Sequence, residues 1–117
     1  MKRLTLLVLC VTATAVTMLA QTPRPLFDVV DASIPQLQAA LADHRVTSRE
    51  LVLLYLARVA MFEHTLNAVM TVSPTALAEA DALDRERAAG RVRGPLHGIP
   101  IALKDNIHTT NMPFARK

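Results

Sequence analysis

The chain has 117 residues, of which 51% are apolar and 20% charged, and its 13 Lys and Arg exceed its 10 Asp and Glu. One Tyr and three Phe are too few for a base-stacking platform. The basic residues form no run denser than Arg85, Arg87, Arg91 and Arg93. Because nucleic-acid binding needs a patch that neutralises phosphates, the composition argues against a nucleic-acid partner.

Much of the positive charge lies at the N-terminus, where residues 1–20 include Lys2 and Arg3 and no acid. The full chain of 117 residues has a net charge of +3. Without residues 1–20, the remaining 97 residues have a net charge of +1. A basic start, an apolar stretch from Leu4 to about Val16 and a small residue before a polar segment are typical of a secretory signal peptide. We therefore predict that residues 1–20 are removed during export to the periplasm or the extracellular space.

Two alternatives concern this segment. A transmembrane anchor is disfavoured because threonines interrupt an apolar stretch shorter than the roughly 20 residues that span a bilayer, so no stable membrane anchor is expected after cleavage. These are Thr5, Thr12, Thr14 and Thr17. Cleavage after Ala20 or after Ala15 both fit the pattern. Cys10 is the only cysteine and lies inside this segment, so the mature chain is expected to form no disulfide or thiolate metal site.

Capping patterns open two helices in the mature chain, residues 21–117. Ser33 followed by Gln36 predicts a helix from Ile34 to about Asp43, and Thr47 followed by Glu50 predicts a second one to about His64. The first helix should bury Leu37, Ala40 and Leu41. The second has apolar or amphipathic residues at a 3.6-residue period: Leu51, Leu54, Tyr55, Arg58, Val59 and Phe62, with Val52 and Leu56 widening the stripe.

The remaining pattern is strand, helix, strand. Residues 67–72 and 99–103 predict short strands, and a helix capped at Ser73-Pro74 should run from Thr75 to about Ala89 and end at Gly90. This order predicts a parallel crossover unit of an α/β fold. Parallel strands need further neighbours and helices on both faces, yet only 13 residues follow Lys104. The sequence therefore predicts the opening part of a larger α/β domain.

Few residues indicate chemistry by pattern alone. The histidines show no metal-site spacing, so surface or capping roles are favoured over metal ligation for His44, His64, His97 and His108. Lys104, next to Asp105, follows the second predicted strand. That end of an α/β sheet is where active sites form, although a solvated strand end is the more common situation.

Residues 94–107 read GPLHGIPIALKDNI and resemble the segment around the catalytic lysine of the amidase signature family. Members of that family hydrolyse or transfer across the carbon–nitrogen bonds of amides. The resemblance extends over about residues 31–112, through the capped helix, residues 67–69 and the Ala-rich helix ending in a glycine. It implies N-terminal helices and the first strand-helix-strand unit of a mixed-sheet domain.

The resemblance assigns Lys104 the role of a base that acts through one serine to deprotonate a second, nucleophilic serine. It gives Asp105 and Asn106 orienting or structural roles near the site. It also implies a small amide substrate and no cofactor. Both family serines lie downstream of the lysine and are absent from the 117 residues. We interpret Ser33, Ser48 and Ser73 as helix caps, which cannot replace them.

Three hypotheses follow. The chain is the N-terminal fragment of an exported amidase and is inactive alone; or it is a non-catalytic fragment or small helical binding module; or it is the A-type subunit of a tRNA-linked glutamine amidotransferase. The export signal disfavours the third, because that reaction is cytoplasmic. A lysine base must be partly neutral, and burial is the main influence that neutralises a lysine, so catalysis requires a complete domain.

Overall fold

A computed structural model describes residues 25–110 and Met112. The predicted signal peptide, residues 1–20, lies outside these residues. Within them the chain forms three helices, α1 over Ile34–Ala42, α2 over Ser48–Leu66 and α3 over Ala76–Ala88. The three predicted helices are confirmed, with ends that agree to within two residues.

Local sequence explains where α1 and α2 begin. The backbone N–H of Ser33 donates to Gln36 Oε1 at 2.8 Å, and that of Thr47 donates to Glu50 Oε2 at 2.7 Å. Thr47 Oγ1 accepts in return from the Glu50 N–H at 3.1 Å. These side chains satisfy backbone donors that have no partner within the helix, so both predicted capping patterns are confirmed.

The start of α3 differs from the prediction. Pro74 and Thr75 form a turn before the helix, and Ser73 Oγ accepts from the Thr75 N–H at 3.3 Å. Ser73 therefore caps this turn, while Thr75 is the residue that precedes the helix. The predicted end is confirmed, since Gly90 follows α3 with a φ of +73°, a conformation that favours glycine.

The core lies where α1 packs on the beginning of α2. Leu37, Ala40 and Leu41 are buried as predicted, together with Val46 and Leu51. Farther along α2 the apolar stripe is uncovered, and Leu66 is 66% exposed. The described residues thus cover the first part of α2 and leave its second part open to solvent.

The strand-helix-strand prediction is not confirmed, because the described residues include no strand. Asn67, expected to begin a strand, instead ends α2 in the left-handed conformation, with a φ of 46°. The N–H of Val69 donates to Glu63 Oε2 at 3.0 Å, where a strand would need a backbone acceptor. Residues 99–103 likewise pair with no described segment, and Ile101 is 60% exposed. Strand propensity is present in both segments, but a strand exists only when another backbone pairs with it.

Candidate active site

The loop between α3 and the lysine segment is a compact double turn over residues 94–99. The His97 N–H donates to the Gly94 carbonyl, and the Ile99 N–H donates to the Leu96 carbonyl, each at 3.1 Å. Gly98 has a φ of +81°, which a residue with a side chain rarely adopts. The turn brings the chain back against α3, and the segment that includes Lys104 follows it.

All three helices contact this turn. From α1, Gln38 Nε2 donates to the Pro95 carbonyl at 2.7 Å; from α3, Arg87 Nη2 donates to the His97 carbonyl at 2.8 Å. From α2, Ser48 lies against Gly98. Ile99 then packs on the hydrophobic core. The double turn is therefore a junction of the helices and is not a free surface loop.

His97 is buried in this junction and only 6% exposed, so a surface role is wrong for it. Its Nδ1 faces the Arg93 N–H at 3.3 Å, and its Nε2 faces the Leu83 carbonyl at 3.0 Å. Because a backbone N–H only donates and a carbonyl only accepts, this geometry makes Nδ1 the acceptor and Nε2 the donor. His44, His64 and His108 are exposed, as the surface interpretation predicts.

Ser48 is the first residue of α2 and is fully buried. Its hydroxyl has no hydrogen-bond partner among the described residues, so the interpretation of Ser48 as a cap is wrong; Thr47 is the cap. The backbone of Ser48 is well bonded, because its N–H donates to Asp84 Oδ1 at 2.7 Å and the Arg49 N–H donates to Asp84 Oδ2 at 3.1 Å. The negative charge of Asp84 also interacts favourably with the positive, N-terminal end of the α2 helix dipole.

A bidentate ion pair joins Glu86, in the last turn of α3, to Arg93, just before the double turn. Arg93 Nε donates to Glu86 Oε2 at 2.7 Å, and Arg93 Nη2 donates to Glu86 Oε1. The hydrogen bond from Arg93 holds the pKa of the Glu86 carboxyl below its usual 4.5, and Glu86 in turn raises the pKa of Arg93. This pair lies beside His97, whose Nδ1 accepts from the backbone of the same Arg93.

Lys104, Asp105 and Asn106 lie beyond the junction on exposed backbone. Residues 105–106 form a turn in which the Ile107 N–H donates to the Lys104 carbonyl at 2.9 Å. The described residues do not bury Lys104, so they do not supply the desolvation that a lysine base requires. Its catalytic role, and the roles of Asp105 and Asn106, stay predictions.

Two cavities lie near these elements. One, of about 390 Å³, is lined by Leu83 and residues 93–99, and the other, of about 780 Å³, is lined by residues of the 25–32 segment and of α1 and its C-terminal loop. Lys104 lines neither cavity.

Among residues 25–110 and Met112, no three His, Cys, Asp or Glu side chains are grouped as metal ligands. No helix in the same range is long and apolar enough to cross a membrane.

Comparison with known proteins identifies the family. The sequence profile described as Amidase matches residues 50–116, which is more than half of the chain and includes the double turn and Lys104. The chain belongs to the amidase family. The resemblance inferred from residues 94–107 is thereby confirmed.

Individual relatives agree with this assignment. The chain is 43% identical over 79 residues to a putative amidase of Schizosaccharomyces pombe, covering 68% of this chain and 14% of the relative. It is 43% identical over 83 residues to the A-type subunit of the glutamyl-tRNA(Gln) amidotransferase of Dehalococcoides mccartyi, covering 70% and 17%. A crystal structure of the native peptide amidase from Stenotrophomonas maltophilia is similar with a TM-score of 0.69 and 44% identity, over 72% of this chain and 18% of that one.

This chain spans less than a fifth of the length of these relatives. The sequence alone did not reveal that His97 and Ser48 belong to one junction. The close spacing of Gly94, Pro95 and Gly98 could have indicated this junction, because these residues mark a tight turn, and a tight turn can be held in place by contacts with the neighbouring helices.

Proposed function

We propose that this chain is the N-terminal part of an exported amidase that hydrolyses the carbon–nitrogen bond of a small amide, with Lys104 as its base. The observation that carries the proposal is the family match over residues 50–116, which continues through the double turn and past Lys104. The peptide amidase likeness, at 44% identity, favours amides of peptide type.

The proposed reaction is acyl transfer to a serine followed by hydrolysis. A second serine relays the proton of the nucleophilic hydroxyl to the neutral Lys104 amine as the hydroxyl oxygen attacks the amide carbonyl. The same proton returns to the leaving nitrogen as the carbon–nitrogen bond breaks. Water then attacks the acyl-enzyme, releasing the carboxylic acid and restoring the serine. Both serines would come from sequence beyond the 117 residues.

Exposed apolar side chains support the proposal that further sequence completes the enzyme. Phe62 and Leu66 on α2 are 46% and 66% exposed, and Ile101 near the lysine is 60% exposed. Further chain that covers Ile101 would also lie beside Lys104, three residues later, and could bury it. Such burial is what a lysine base needs and what the described residues lack.

The test begins with the DNA downstream of codon 117, read in all frames for a glycine- and serine-rich segment. We expect such a segment, and the polypeptide that includes it should release ammonia or amine from small peptide amides. Lys104→Ala should lower kcat by about 10³-fold or more, as loss of a triad member does. Arg91→Ala, which removes another exposed cation before the turn, is the matched control. Absence of the segment over the next several hundred codons would reject the proposal.

Export is part of the proposal and has its own test. N-terminal sequencing of the protein recovered from periplasm or medium should start after Ala20 or Ala15. Recovery from the cytosol with Met1 or Lys2 at the N-terminus would contradict export.

A second candidate is the A-type subunit of a tRNA-linked amidotransferase. It is favoured by relatives of that name, including one of Chloroflexus aurantiacus that is 48% identical over 77 residues. Cytosolic recovery with the N-terminus intact would favour this candidate. Glutamine-dependent amidation of charged tRNA by the longer polypeptide, in place of simple amide hydrolysis, would establish it.

A further inference from the structure

We infer that His97 is a positioning residue for Lys104: it fixes the double turn on α3 and so sets the place from which the lysine segment leaves the helices. This inference rests on the proposed function, because it concerns the residue to which that function assigns the proton transfer.

His97 uses all four of its polar groups. Its backbone N–H donates to the Gly94 carbonyl at 3.1 Å, and its carbonyl accepts from Arg87 Nη2 at 2.8 Å. Its ring bonds the Arg93 N–H through Nδ1 and the Leu83 carbonyl through Nε2. Two of these partners, Leu83 and Arg87, belong to α3, so the residue is held to one helix by both its side chain and its backbone.

The next two residues extend this attachment to the other helices. Gly98 lies against Ser48 of α2, and Ile99 packs on the core formed mainly by α1 and α2. Residues 97–99 therefore have no freedom to rotate as a unit without breaking contacts on three helices. A rigid body at this point defines the direction of the chain that follows.

Beyond Ile99 the attachment ends. Residues 101–107 are exposed, and the backbone hydrogen bond within them, from the Ile107 N–H to the Lys104 carbonyl, joins the segment to itself and not to a helix. Lys104 follows His97 by seven residues. The junction formed by residues 97–99 is consequently the last firm contact with the helices before the lysine.

A purely structural role makes a different prediction. If His97 only stabilised the end of α3, its loss would lower the stability of the whole chain and leave the order of residues 96–99 tied to that of the helices. A positioning role predicts a local effect: the helices keep their order, and the part of the double turn from which the lysine segment leaves loses it. Backbone order parameters from ¹⁵N relaxation separate these outcomes residue by residue.

The experiment compares the 117-residue chain with three variants by ¹⁵N relaxation. His97→Leu removes both ring hydrogen bonds, His97→Gln can keep a donor toward the Leu83 carbonyl, and His64→Leu is the control at an exposed histidine of α2. We expect amides of residues 96–99, which are attached to the helices, to have order parameters of about 0.85 in the wild type and His64→Leu, and below about 0.6 in His97→Leu. His97→Gln should restore the wild-type order in part. The helix amides should remain rigid in all four proteins.

Three results would overturn the inference. Residues 96–99 could already be flexible in the wild type, they could stay rigid in His97→Leu, or the helices could lose order together with them. If His97→Leu does not fold, Arg87→Met, which removes the bond to the His97 carbonyl and keeps an unbranched stem, takes its place. Failure of both variants to fold would assign the contacts to global stability and would also overturn the inference. Because no step measures catalysis, these results are independent of whether Lys104→Ala abolishes activity.

Discussion

Gly98 lies so close to Ser48 that a Cβ atom on Gly98 would overlap the Ser48 hydroxyl oxygen. The same glycine has a φ of +81°. Two independent constraints, backbone conformation and the closeness of α2, therefore require a residue without a side chain at this point of the double turn.

We expect Gly98→Ala to lower the free energy of unfolding by about 2–5 kcal/mol. The left-handed conformation contributes about 1–2 kcal/mol of this and the overlap with Ser48 about 1–3 kcal/mol. Urea denaturation of the wild type and the variant measures the difference.

Two other glycines serve as controls for this substitution. Gly90 has a φ of +73° but open space around it, so Gly90→Ala should cost only about 1–2 kcal/mol. Gly94 has neither constraint, and Gly94→Ala should change stability by less than about 0.5 kcal/mol. Equal effects at all three positions would show that contact with Ser48 is not what restricts Gly98.

Adjacent hydroxyl groups at the start of α2 should respond in opposite directions to substitution by alanine. Thr47→Ala removes the cap on the Glu50 N–H and should destabilise the chain by about 1 kcal/mol. Ser48→Ala removes a fully buried hydroxyl that has no partner among the described residues, so it should be neutral or stabilise the chain by up to about 1 kcal/mol. Denaturation of both variants checks this, and a loss above about 1 kcal/mol at Ser48 would mean that its hydroxyl is bonded.

The contrast between Thr47 and Ser48 also shows what the sequence could and could not reveal. Capping depends on residues three positions apart, so Thr47 and Glu50 predict the start of α2 correctly. The burial of Ser48 depends on Gly98, fifty residues away. A local sequence pattern contains no information on that contact, and for this reason the interpretation of Ser48 as a helix cap is wrong.

The same limit explains His97 and the predicted strands. His97 gains its partners on α3 only when the chain folds back after Gly90, so spacing among histidines gave no indication of them. Residues 67–72 and 99–103 have the composition of strands, but strand formation needs a second backbone, and the described residues supply none. The family, by contrast, was predictable because residues 94–107 form a long and specific motif.

Asp84 should contribute more to stability than Asp81, although both carboxylates face the start of α2. Asp84 accepts from two backbone N–H groups, whereas Asp81 forms an exposed ion pair with Arg49 at 2.6 Å. We expect Asp84→Ala to cost about 1–3 kcal/mol, because it leaves those amides unpaired, and Asp81→Ala less than about 1 kcal/mol. Both substitutions change helix propensity equally, so the difference between their unfolding free energies compares the amide contacts of Asp84 with the exposed ion pair of Asp81. Equal costs would contradict this assignment.

The ion pair between Glu86 and Arg93 should make stability depend on pH under acidic conditions. Because Arg93 lowers the pKa of Glu86 in the folded chain, the folded state binds a proton less readily than the unfolded one. The stabilisation is therefore complete above the unfolded value of 4.5 and is lost as pH falls below it through the folded pKa.

Urea midpoints measured between about pH 7 and about pH 3 should test this dependence. The gap between the wild type and Glu86→Gln should be constant near neutrality and shrink below pH 4.5. Arg93→Gln should behave like Glu86→Gln, since each removes the pair. A gap that stays constant down to the lowest pH would show that the pair does not contribute.

Apolar side chains on the second part of α2 should behave as a surface and those on its first part as a core. Leu66 is 66% exposed, and Leu66→Gln should leave stability within about 0.5 kcal/mol while reducing the fluorescence of a bound hydrophobic dye. Leu51 is fully buried, and Leu51→Ala should cost about 2–5 kcal/mol. An independent binding module would be expected to bury most of its apolar surface. Strong dye binding by the wild type that is weaker in Leu66→Gln would therefore favour a chain whose exposed side is covered by further polypeptide. Weak dye binding by the wild type, unchanged in Leu66→Gln, would instead favour the independent module.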